Sequence, residues 1–117
     1  MNLNVVNSNE LVQTATDGLL YSNLVHQVEK DFILANVPLI IKDSVRPQEF
    51  IAIIREKVYH LIMESFADYL NLLYIIDIPE KDFQFLKITD AVEVSDQVTF
   101  MILKREYQKV WYRHKYQ

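Results

Sequence analysis

Four side chains step by four along one stretch of the chain: Glu56, His60, Glu64 and Asp68. On a helix this spacing stacks them in one row, and carboxylates beside an imidazole are what a helix-borne divalent metal requires. A metalloenzyme built on Glu56, His60 and Glu64 is therefore the most chemically specific reading on offer. Two observations weigh against it. The row shares its side of the helix with Lys57 and Asn71, opposite an apolar stripe, where a helix presents its solvated face. Nor does any Glu-x-x-His pair occur, the motif that inward-facing di-iron bundles use. We read the row as solvated surface and assign no metal, no other cofactor and no small-molecule substrate.

Two charges fall inside apolar faces instead. Arg55 stands among Ile51, Ala52, Val58, Tyr59 and Ile62, and Asp31 among Leu24, Val28, Leu34 and Ala35. An isolated buried charge costs several kcal/mol, so each demands a partner, and the expectation is an Asp31–Arg55 ion pair between two helices. Asp77 interrupts the apolar run "LLYII" and is followed by Pro79 and Glu80. That order predicts a capping box, with Asp77 and Glu80 starting a short helix from Ile78 to about Lys87, in preference to a catalytic acid. The three histidines, His26, His60 and His114, lie on separate segments with no nucleophile motif beside them.

The charge distribution is uneven. From Lys104 to the end, "KREYQKVWYRHKYQ" holds five Lys or Arg and one Glu, a net +4, while the rest of the chain is net −8, giving −4 in all. Lys104, Arg105, Lys109, Arg113 and Lys115, interleaved with Tyr107, Trp111, Tyr112 and Tyr116, could engage a nucleic acid or an anionic membrane surface. Cations near a helix C-terminus also favour the macrodipole, and a basic helix can dock on an acidic body, so five charges are a weak footprint.

Composition excludes much else. There is no cysteine, which removes disulfides, thiolate catalysis and Cys-ligated metals and fits a reducing, cytoplasmic setting. A single glycine, Gly18, excludes the phosphate-binding loop, the dinucleotide fingerprint and the nucleophile elbow, all of which need several. The N-terminus carries no secretory signal pattern, and no apolar run is longer than that of Leu72 to Ile76, far short of the roughly 18 residues of a membrane span.

Few glycines and prolines, with half the residues hydrophobic, point to one all-α domain over residues 1–117, a bundle of four or five helices. A first helix, capped by Asn7 with Glu10, runs toward Asn36 unless Gly18 kinks or breaks it. Residues 37–46 form an ordered crossover. A long second helix, Pro47 to Ile76, serves as the spine, with Ile51, Ile54, Val58, Tyr59, Ile62, Phe66, Tyr69 and Leu73 on its buried stripe. Residues 88–99 are either a short extended segment or a helix start capped by Asp90 or Ser95. In the last helix Phe100, Leu103, Tyr107, Val110, Trp111 and His114 recur at three and four residue steps. That seam predicts a partner-binding face. The functional expectation is a non-enzymatic protein acting through helix–helix contacts, as a homodimer or with another helical protein.

Overall fold

The computed structural model describes residues 3–86 and 90–117, and among them every regular element is a helix. The order is α1 (Ser8–Asp17), α2 (Tyr21–Leu34), α3 (Pro47–Glu64), α4 (Phe66–Ile76), α5 (Glu80–Phe83) and α6 (Ala91–Lys115). This is the expected all-α bundle, with more breaks than expected.

Each break has a local cause. Asn7 caps α1 as foreseen, its side chain accepting the Glu10 amide at 2.9 Å. At the other end Leu19 N–H donates to Thr16 and Leu20 N–H to Ala15, the paired bonds of a Schellman motif. The left-handed residue of that motif is Leu19, at φ 60°, and not the neighbouring Gly18, at φ −84°. The same closure ends α2, where Asn36 is left-handed, and α4, where Asp77 is, at φ 72°.

Asp77 thus ends one helix and does not cap the next. Pro79 precedes α5, whose first turn has no side-chain cap; Glu80 stands inside that turn, and α5 is shorter than the sequence suggested. The spine expected from Pro47 to Ile76 is also divided. Ser65 takes φ −153° and ψ 78°, closing α3 with its amide and opening α4 with its carbonyl, while its hydroxyl donates to Asp68 at 2.7 Å. The signal was present as Ser65-Phe-Ala-Asp68, the S-x-x-[D/E] pattern of a helix start, obscured by strong apolar periodicity on both sides.

The spine is α6. It packs on α1, α2, α3 and α4, burying Val94, Val98, Ile102, Leu103, Tyr107 and Val110. Asp90 caps it by accepting the Val92 and Glu93 amides, so residues 91–99 are helix; residues 88 and 89 lie outside the described residues. Ser95 and Thr99, fully buried on the same face, return their hydroxyls to the carbonyls of Ala91 and Ser95 and so leave no unsatisfied donor. The crossover is fastened to α2 by Tyr21, whose hydroxyl donates to the Val45 carbonyl at 2.6 Å while its ring meets Phe50 edge-on. Val37 is buried and Leu39 and Ile41 half-buried, but Ile40 stands in solvent.

Candidate functional site

The buried faces of α2 and α6 meet around a group of ionisable side chains. Asp31 is placed on the inner face of α2 by the same periodicity that buries Leu24, Val28 and Phe32. Glu106 and Lys109, one turn apart on α6, come against it. Lys109 Nζ donates to Asp31 Oδ2 at 2.7 Å and lies 2.8 Å from Glu106 Oε1. Gln27 Nε2 donates to the same Asp31 oxygen at 3.1 Å. Glu106 is 0% exposed and Asp31 5%.

One ammonium therefore stands between two buried carboxyl groups, and the electrostatics separate them. Burial, then the adjacent Asp31, push Glu106 up to about 8, against the opposing influence of Lys109. Burial also opposes ionisation of Asp31, yet hydrogen bonds from Glu106, Lys109 and Gln27 outweigh it and hold this carboxyl below its ordinary value. At neutral pH the group is best described as Asp31 carboxylate, Lys109 ammonium and a protonated Glu106. As a carboxylate Glu106 has no hydrogen-bond partner for either oxygen, and protonation relieves the repulsion that a second buried carboxylate beside Asp31 would create.

The expected Asp31–Arg55 pair does not form. Asp31 meets Lys109, and Arg55 reaches the surface, 3.7 Å from Asp96 with both side chains well exposed. Arg55 escapes burial because its long stem lies along the apolar face while its head group emerges, whereas a short aspartate at the centre of α2 cannot reach water. Sequence reasoning marked Asp31, assigned Lys109 to a polyanion-binding face and missed Glu106. The available signal was a Glu-x-x-Lys step with Glu106 falling between the seam positions Leu103, Tyr107 and Val110.

The C-terminal cations are divided in use. Lys109 belongs to the buried group. Arg105 is spent on Asp77, Nε to its carbonyl at 3.1 Å and Nη2 to its carboxylate at 3.0 Å, clamping the left-handed end of α4 to α6. Lys104 and Lys115 lie near the rings of Phe100 and Trp111, and Arg113 is exposed. The row Glu56, His60, Glu64 and Asp68 is exposed throughout, with His60 Nδ1 3.9 Å from Glu64 and Asp68 beyond the Ser65 break. Among the described residues no three His, Asp or Glu converge as a metal site.

The seam assigned to a partner is mostly occupied by the chain itself. Leu103, Tyr107 and Val110 are buried in the core, Phe100 and Trp111 are half-buried, and only His114 is freely exposed. Several large apolar side chains are exposed, among them Ile33, Leu34, Ile40 and Phe85, and one regular row of them lies on α4. Phe66, Leu70 and Tyr74 follow one another at four-residue steps and are 45%, 42% and 79% exposed. Met63, at the end of α3, is exposed as well. Comparison of the chain with protein-family models, with curated proteins and with solved structures found no match to any of them. No helix of the described residues is long and apolar enough to cross a membrane.

Proposed function

We propose that the protein is a helical interaction module, without catalysis of its own, that self-associates through the exposed face of α4. The observation that carries this is the Phe66, Leu70 and Tyr74 stripe. Three large apolar side chains at successive turns form a continuous ridge, which a small monomer rarely leaves in water.

A second copy fits the ridge on three grounds. Leu70 is at its centre with one aromatic ring on each side, so an antiparallel copy sets Leu70 against Leu70 and Phe66 against Tyr74, the self-matching a two-fold interface requires. The ridge carries no charge, so two chains of net −4 can meet there without opposing like charges at the contact. Antiparallel α4 helices also oppose their dipoles favourably.

Polyanion binding through α6 is the weaker alternative, because Lys109 and Arg105 are already engaged within the chain. Light scattering on a size-exclusion column tests the assembly. Wild type should run as a salt-insensitive dimer, Leu70→Glu as a monomer, and Trp111→Ala as a dimer. A strictly monomeric wild type at high concentration would refute the proposal.

A further inference from the structure

Inside the bundle a lysine is held against one carboxyl group while a second carboxyl group stands beside both. Lys109 Nζ lies 2.7 Å from Asp31 Oδ2 and 2.8 Å from Glu106 Oε1. The side chains of Lys109, Asp31 and Glu106 are 19%, 7% and 0% exposed.

An amine and a carboxyl group in contact are the two halves of an amide. In water both stay ionised and do not condense. Two features of this setting change that. Burial penalises the ions, so the neutral pair of amine and carboxylic acid, reached by moving one proton across the 2.7 Å contact, is far less costly than in water. Fixed proximity also replaces a chance encounter: effective molarities of about 10⁵–10⁸ M accompany reacting atoms held roughly 3–3.5 Å apart. The Asp31 carboxyl carbon is one C–O bond, about 1.2 Å, beyond Oδ2, which puts it within about 4 Å of Nζ.

Glu106 and Gln27 complete the arrangement. Glu106 keeps its proton at neutral pH, and neither of its buried oxygens is committed to a hydrogen bond, so the group is free to give and take protons. Gln27 Nε2 donates to Asp31 Oδ2 at 3.1 Å, which draws electron density from the carbon to be attacked and fixes the plane of the carboxyl group.

We infer that the chain cross-links itself, Lys109 Nζ and Asp31 Cγ joining in an amide between α2 and α6 with Glu106 as the proton relay. The ion-paired group described above is the reactant. Lys109 first passes a proton to Asp31 Oδ2. The amine lone pair then forms the C–N bond as the carbonyl π pair moves onto Oδ1, which takes the Glu106 proton, and Glu106 recovers one from the nitrogen. One C–O bond of the resulting diol breaks with its electron pair, and that oxygen takes the Glu106 proton and leaves as water. The other hydroxyl returns its proton to Glu106 as the carbonyl re-forms. One carboxylate and one ammonium thus give one amide and one water, with Glu106 unchanged and no oxidant or cofactor consumed. The reaction occurs once per chain and is independent of self-association through α4.

The test is the intact mass of the full chain, denatured and reduced after standing folded at pH 7, followed by peptide mapping. The chain should be lighter than its sequence by one water, and the segments around Asp31 and Lys109 should appear as one branched peptide. There is no cysteine, so a link that survives reductant is not a disulfide. Lys109→Arg, which keeps the cation, should retain the full sequence mass with unchanged circular dichroism. Glu106→Gln, of the same shape, should form the link about a hundredfold more slowly or worse. A wild-type chain at its full sequence mass, a water lost between any other pair of residues, or a Glu106→Gln chain that links as fast as wild type would each overturn the assignment.

Discussion

Helix α6 is polar over much of its surface and yet forms the centre of the bundle, while α4 is apolar around most of its circumference and leaves a ridge in solvent. The difference lies in length and position. With 25 residues α6 is long enough to meet four helices along one continuous face, so even Glu106 and Lys109 are drawn inside. The 11 residues of α4 are covered by the bundle on one side, through Tyr69, Leu72, Leu73 and Ile76, and on the other the described residues leave Phe66, Leu70 and Tyr74 45%, 42% and 79% exposed. A buried face is therefore a property of where a helix sits, and hydrophobicity alone does not identify it.

The contrast is broken most severely at Lys109. Replacing it with Met leaves Asp31 and Glu106 buried without their cation, and the chain should lose about 3–5 kcal/mol of unfolding free energy in urea titration. Leu70→Glu, which shifts the net charge by the same one unit but on α4, should cost a monomer no more than about 1 kcal/mol, because the side chain is already 42% exposed. If Leu70→Glu proved as destabilising as Lys109→Met, the ridge would be part of the core and the comparison would fail.

A pH series sharpens the α6 side. Glu106 titrates at about 8 in the folded chain and at about 4.5 when unfolded, so between these values the folded state holds the additional proton. Stability should accordingly fall as pH rises from about 5 to about 8.5, read as a decreasing urea midpoint. Asp31, held below its ordinary value, works in the opposite sense: its contribution is present above about 3.8 and is lost as pH falls further. Glu106→Gln keeps the shape and should flatten the neutral-range dependence. A wild-type midpoint constant from pH 5 to 8.5 would contradict a protonated Glu106.

The smallest effect concerns the end of α1. Leu19 holds a left-handed backbone with 88% of its surface exposed, so its side chain adds strain and little packing. Leu19→Gly should stabilise by about 0.5–1 kcal/mol in thermal or urea unfolding. Gly18 has an ordinary φ, so the conformational need for glycine is one residue further along than the glycine itself.

Much of the architecture was legible along the chain. Scarce glycine and proline and three-to-four residue periodicity define an all-helical domain, and Asn7, Asp90 and Pro47 mark helix starts because capping is decided within one turn. The same local physics marked Asp31 as a buried acid, since α2 is apolar on both sides of it. The Ser65 break and the role of Asp77 were less legible. A helix end closed by backbone bonds through a non-glycine residue leaves little trace in residue types, and Asp77 has the appearance of an N-cap until Arg105 is seen to hold it.

What only the tertiary structure decided is the pairing. Lys109 and Asp31 are 78 residues apart and Arg105 and Asp77 28 apart, and no periodicity states which acid will face which base. That depends on the register and crossing of helices, which burial of every apolar face sets jointly. The same joint solution placed the α6 seam against its own chain and left the α4 ridge without cover. Helix identity follows from interactions within a few residues, and so a single sequence determines it; which surface remains for a partner is the remainder after the whole chain has packed, and no segment contains it.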